Sequence, residues 1–274
     1  MNQPLLLLGA VILICILLNR FLEKIPVPSL LIFVGLGMFF GENGPFRIQF
    51  DHYALVNLVC SVCLIFIMFY GGFGTNMRAA RPVLREAALM SSLGVAGTAG
   101  AVAVFAHFAL SLLWLESFLI GAVISSTDAA SVFNILRSQK LALKYHTDSL
   151  LEVESGSNDP MSYMLTMAAI ELLSGAAFSF PLLLAKQLLI GAFFGLAIGW
   201  LALKLLHSRL LPSQQSHTVF LFSIMVLAYA IPAEFDGNGY LSVYLCGIYI
   251  GNSKLPQKKY LVHFFDVLTN VAQV

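Results

Sequence analysis

The 274-residue chain is 59% hydrophobic and 11% charged, far from the roughly 25% charged residues of an ordinary soluble domain. Its net charge of +1 suggests neither nucleic acid nor an anionic partner. Apolar segments of about 20 residues, the length a helix needs to cross a hydrocarbon core of about 30 Å, recur along the whole chain and leave no soluble domain over.

The pattern predicts an all-α polytopic membrane protein. Nine complete spans fall at 4–22, 29–41, 54–73, 87–112, 117–136, 150–173, 181–206, 217–232 and 239–252, and a tenth begins near His263. The first apolar run has no basic residue before it and no small-residue cleavage site after it, so a retained helix is expected rather than a signal peptide. Connections hold Pro, Gly and charge, as in Glu23-Lys24-Ile25-Pro26, 41–45 and 231–237.

Span two ends in Gly37 to Gly41, and span nine in Gly247 to Gly251, each followed within two residues by Asn. The two spans run in opposite directions, which is what an inverted-topology repeat leaves in a sequence. Close helix packing alone also produces Gly-x-x-x-Gly. Gly94, Gly97 and Gly100 in span four, and Gly191, Gly195 and Gly199 in span seven, are expected to be packing seams. Cys60 and Cys63 have the spacing of a redox or metal pair, but no second pair or His cluster accompanies them. With Cys15 and Cys246 they are expected to act as small apolar packing residues.

Basic residues alternate between loops. Arg20 and Lys24 follow span one; Arg78, Arg81 and Arg85 follow span three; Arg137, Lys140 and Lys144 follow span five. Lys204 and Arg209 follow span seven, and Lys254, Lys258 and Lys259 follow span nine, leaving only Arg47 and Lys186 on the opposite side. Lys and Arg accumulate in cytoplasmic loops, so the N-terminus is expected outside.

Of the fourteen acidic residues, Asp128, Glu152, Glu154 and Asp159 lie within predicted spans, while Glu171, at the outer end of span six, is counted with the loop that follows. A charged group at the bilayer centre costs about 2.5–3.5 kcal/mol or more, so a functional role is the default expectation. Asp128 stands halfway along span five after Ser125, Ser126 and Thr127, whose hydroxyls compete with backbone hydrogen bonds. A local helix break is therefore expected at 125–128, and a break frees carbonyls and a half-helix N-terminus for an ion. Span six carries Glu154-Ser155-Gly156-Ser157-Asn158-Asp159-Pro160, in which a second break at 156–158 would accommodate Pro160. Ser155 and Asp159 share a helix face, whereas Glu154 is turned about 140° from Asp159 and should need a separate partner, an Arg or Lys. Glu152, near the cytoplasmic edge, suits a site and helix-to-helix glue equally.

Two midplane aspartates among hydroxyls and an amide suit a desolvated monovalent cation, since hard cations take oxygen ligands. Burial disfavours the charged form of a carboxylate, so such a group can trade its cation for a proton. If only the loaded site can change sides, cation and proton must cross in opposite directions.

The segment Ser125-Ser126-Thr127-Asp128-Ala129-Ala130-Ser131-Val132, followed about thirty residues later by Glu154 to Pro160, resembles the monovalent cation:proton antiporters of the first cation:proton antiporter family. The stretch Ile25-Pro26-Val27-Pro28 through Gly44 is similar to members that exchange K+ for protons. The resemblance implies an inverted-repeat fold of about thirteen helices, usually homodimeric. In that fold 1–174 form a first repeat of six helices, 175–213 a linker helix, and 214–274 an incomplete second repeat. It implies that Asp159, Asp128, Thr127 and Ser155 bind the cation and that Glu154 pairs with an Arg on a later helix. With Asn158 before Asp159 it implies electroneutral exchange. It further implies a multi-pass protein of a bacterial inner membrane, with no enzymatic activity and no cofactor.

One departure is Phe69-Tyr70-Gly71-Gly72, where many relatives carry an acidic residue before the glycine pair; the resemblance therefore does not choose between Na+ and K+. The chain also stops early in the tenth helix, so a fragment inactive by itself is expected. Other classes weighed are a cation channel or regulatory module on the same fold, an ion-driven symporter for an organic solute, and an intramembrane aspartyl protease. The last would show Gly-x-Gly-Asp and Pro-Ala-Leu segments, which do not occur.

Overall fold

The computed structural model describes residues 9–10, 13–14, 17, 29–45, 47, 52–127, 143–175, 179–208, 214–255 and 258–273. Every regular element among them is helical: α1 (Ser29–Phe40), α2 (Tyr53–Gly74), α3 (Met77–Leu110), α4 (Trp114–Ile124), α5 (Thr147–Leu173), α6 (Phe180–Leu206), α7 (Gln214–Glu234), α8 (Gly239–Gly251) and α9 (Lys258–Gln273). Asp128, the rest of span five and most of span one lie outside the described residues. The chain divides into two compact units, Met1–Leu64 with Asp266–Val274, and Ile65–Phe265. The polar constellation belongs to the second.

Helices overlap most of the expected segments where these are described, with boundaries within a few residues of the expected ones. α3 starts ten residues before the expected position, because Asn76 caps its first turn by accepting from the Arg78 and Ala79 amides at 3.1 and 3.4 Å. Pro82 then sits in a single 3-10 turn, Arg81–Val83, where its missing N–H is harmless. α7 continues through Pro232 to Glu234, so the expected connection at 231–237 begins later. α9 begins at Lys258 rather than near His263; the Lys258 ammonium donates to the Gly251 carbonyl and sits over the Phe73 ring.

Among the described residues four helices are long and apolar enough to cross a membrane: α2, α3, α6 and the part of α7 from Ser216 to Glu234. α5 has 27 residues, ample for a crossing, but its carboxylates and hydroxyls lower its hydropathy. Phe105, Phe108, Leu189, Phe193 and Trp200 are exposed on the outer faces of α3 and α6. Lipid tails are as apolar as these side chains, so helix association must come from close packing.

Glycine provides that packing. A Cβ on Gly191 or Gly195 would lie 2.6 or 2.5 Å from the carbonyl oxygens of Asn238 and Ser242, and one on Gly199 would meet the Tyr249 side chain at 3.3 Å. This face of α6 is thus a seam against α8, as expected. Gly247 and Gly251 of α8 approach the carbonyls of Phe69 and Phe73 in the same manner, at 2.5 and 2.2 Å from their would-be Cβ atoms.

The expected seam in α3 is different. Nothing described lies within 4 Å of a Cβ on Gly97 or Gly100, and Gly94 meets only Met90 of its own helix. The contact with α4 runs instead through Ala99 and Ala103, against which Gly121 packs. Val95, Ala99, Ala122 and Leu165 then form one buried cluster joining α3, α4 and α5. Cys60, Cys63 and Cys246 are free thiols.

Candidate functional site

α4 has 11 residues, about half of what a full crossing requires, and it ends at Ile124. The Ser125 hydroxyl donates back to the Ala122 carbonyl at 2.7 Å, closing the last turn, and Ser126 and Thr127 leave the helix. The expected interruption at 125–128 therefore begins as the hydroxyl run dictates.

α5 runs beside this end without interruption. The expected break at 156–158 is absent: Thr147–Leu173 is one helix with Pro160 inside it. The polar side chains of its inner face find partners on α4 and beyond instead of competing with their own backbone. Ser162 donates to the Ala122 carbonyl at 2.6 Å, and Ser155 to the Thr127 carbonyl at 3.3 Å, with the Thr127 and Ser155 hydroxyls also 3.3 Å apart. Ser126 donates to the Asp159 carboxylate and, at 3.3 Å, to the Asn158 amide oxygen. The Asn158 amide donates to the Thr127 hydroxyl and, at 3.1 Å, to the Glu154 carboxylate.

The structure thus brings together Thr127, Ser155, Asn158 and Asp159, with Glu154 joined through Asn158. Asn158 is 0% and Ser155 1% exposed, so the amide and hydroxyl sit in a medium where each polar group needs a partner. Glu154 is turned from Asp159 as expected, but it lies four residues from Asn158 and shares a face with it. Asp128, the other proposed carboxylate, falls outside the described residues.

Three contributors were not singled out from the sequence. Ser126 stood in the hydroxyl run before Asp128 without an assigned role, and Ser162 lies just past the Glu154–Pro160 stretch. Asn238, 1% exposed, donates from its amide to the Pro160 carbonyl and accepts the Leu241 amide, both at 2.9 Å. Its own amide N–H donates to the Gln187 carbonyl at 3.1 Å. One residue thereby ties α5, α6 and the start of α8. The signal was an Asn directly before a glycine that opens an apolar helix, a common N-cap.

Among the described residues no three His, Cys, Asp or Glu side chains converge as a metal cluster. The donor set is hydroxyls, an amide oxygen, a backbone carbonyl and one carboxylate. Such a set, low in charge, matches a monovalent cation better than a divalent one.

A stopped helix lying against a continuous, carboxylate-bearing one within a helical membrane bundle is the arrangement of an ion-transporter fold. The same fold occurs in the sodium proton antiporter MjNhaP1 from Methanocaldococcus jannaschii at pH 8, with a TM-score of 0.83, 20% identity, and coverage of 97% of this chain and 66% of that one. Residues 9–272 match the model of the sodium/hydrogen exchanger transmembrane family; the chain belongs to that family and is a multi-pass membrane protein. It is 36% identical to the K(+)/H(+) antiporter NhaP of Alkalimonas amylolytica over 100% of this chain and 48% of that protein. It is 35% identical to the K(+)/H(+) antiporter NhaP2 of Shewanella sp. (strain ANA-3), over 98% of this chain and 47% of that one. The chain spans about half the length of these curated relatives.

Proposed function

We propose that the chain serves a secondary transporter that exchanges a monovalent cation for protons, the two competing for Asp159 and Asp128. The observation that carries this reading is the convergence of Ser126 and Thr127, at the stopped end of α4, on Ser155, Asn158 and Asp159 of α5. Carbonyl and hydroxyl oxygens replace the hydration shell of the ion, and the carboxylate supplies the charge that a proton can take over. Asn158 and Ser155 hold Thr127 in place; Glu154 anchors Asn158 and keeps a further ion-pair partner in reach. With Asn rather than a second acid at 158, one cation charge replaces one proton and exchange is electroneutral. The names of the two curated relatives put K+ ahead of Na+.

The architecture in this reading is that of two inverted repeats, 1–174 and 214–274, joined by the linker helix 175–213. The N-terminus lies outside, the membrane is a bacterial cell membrane, and the assembly is a homodimer. The similar helix ends at Gly37–Gly41 and Gly247–Gly251 support the repeat. The alternation of basic loops supports the orientation.

Cation-dependent thermal unfolding tests the site. A bound ion stabilises the folded state by RT ln(1 + [L]/Kd), so K+ or Na+ should raise the Tm of the purified full-length protein. The rise should shrink as pH falls, because protons occupy the same carboxylates. Asp128→Asn should remove most of the cation-induced rise while leaving the cation-free Tm within a few degrees. An unchanged rise in that variant would take Asp128 out of the site.

A further inference from the structure

Tyr244 lies on α8 and is 2% exposed, yet among the described residues its hydroxyl makes no hydrogen bond of good geometry. A buried hydroxyl without a partner costs roughly 1–3 kcal/mol, so its retention calls for a reason. Its position supplies one. A Cβ added to Gly156 would lie 2.7 Å from the Tyr244 ring and 2.8 Å from the hydroxyl oxygen, so the absence of a side chain at 156 leaves the space that the phenol tip fills. The hydroxyls of Ser157 and Thr75 lie nearest, within hydrogen-bonding reach, and the carboxylates of Glu152 and, more weakly, Asp159 act on it through their charge.

The helical wheel of α5 gives the direction. At about 100° per residue, Ser155 and Asn158 lie roughly 40° and 100° to one side of Asp159, and these face Thr127. Gly156 lies about 60° to the other side, with Glu152 about 20° from Asp159 on that same flank. Asp159 therefore stands between the stopped end of α4 and the Tyr244 hydroxyl, and the described partners on its first flank are already engaged with one another.

We propose that the Tyr244 hydroxyl is an oxygen ligand for the transported monovalent cation, approaching Asp159 from the Gly156 flank opposite Ser126 and Thr127. The inference rests on the exchange function proposed above. It gives the unpartnered hydroxyl a role that structure alone does not, and it explains why a glycine faces it.

The test is Tyr244→Phe in the full-length protein reconstituted in proteoliposomes, with K+ and Na+ each as the varied ion and Asp159→Asn in parallel. Phe keeps the ring contact with Gly156 and deletes only the oxygen. The apparent KM for the cation should rise roughly tenfold, as loss of one hydrogen bond or ligand of ordinary strength would give, with a smaller change in maximal rate. The cation-free Tm should stay level or rise, since an unsatisfied hydroxyl is removed, and the cation-induced Tm rise should shrink. An unchanged KM, or a Phe variant that loses stability or fails to fold, would make the hydroxyl structural and overturn the inference. Retained exchange in Asp159→Asn would instead overturn the underlying site, so the two failures are distinguishable.

Discussion

Asp159→Asn is expected to reduce cation-coupled proton exchange to the level of empty vesicles while leaving the helix bundle assembled. The amide is nearly isosteric, and its oxygen can still accept from Ser126, which donates to Asp159 in the structure. What it lacks is the charge that offsets cation desolvation and the ability to take up a proton near neutral pH. In the proposed site both half-reactions should fail together, because one group would serve both. A variant that binds cation normally but transports slowly would point to a different carboxylate. A variant that unfolds would show that Asp159 is a packing partner first.

Substitutions at two glycines should separate in the same decisive way. Gly121→Val would place a Cβ 2.2 Å from the Ala99 carbonyl oxygen and 3.2 Å from the Ala103 nitrogen, so backbone must move. Overpacking of this kind costs about 1–3 kcal/mol where side chains can adjust, and here they cannot. Because α4 leads directly into Ser126 and Thr127 of the proposed site, any retained protein should also bind cation weakly. Gly97→Ala meets nothing described within 4 Å and replaces a poor helix former, so its stability should be unchanged or higher by up to about 1 kcal/mol. Thermal unfolding in detergent compares the two directly. Equal losses would contradict the assignment of the α3–α4 contact to Ala99, Ala103 and Gly121.

These glycines also mark where the sequence was legible. Residues 191, 195 and 199 of α6 and 94, 97 and 100 of α3 show similar small-residue spacing, and only the first set meets another helix. Spacing marks a face on which helices can approach closely, but which neighbour arrives there is decided by tertiary packing. The helices themselves were readable because long apolar runs bounded by Pro, Gly and charge leave few other places for them to begin and end. The stop of α4 was readable for a local reason, three hydroxyls in succession before an acid.

The continuity of α5 was not readable. Gly156, Asn158 and Pro160 are all unfavourable in a helix interior when taken alone. Their neighbours Ser155, Asn158 and Ser162 bond outward to α4, a compensation that exists only once the two helices are together. Thr127, Ser155, Asn158 and Asp159 were all named from the sequence. Tyr244 and Asn238 were not, since nothing local distinguishes an aromatic or an amide that packs against α5 from 78 or more residues away in the chain.

The most direct measurement of the central claim is cation uptake into proteoliposomes of the full-length protein, driven by an imposed proton gradient with the membrane potential clamped at zero. Uptake of K+ or Na+ against the direction of proton flow is expected, unchanged when the potential is set to other values, with an apparent KM that rises as pH falls. Cation flux that follows the potential and ignores the proton gradient would contradict that claim and indicate a conductance on the same fold.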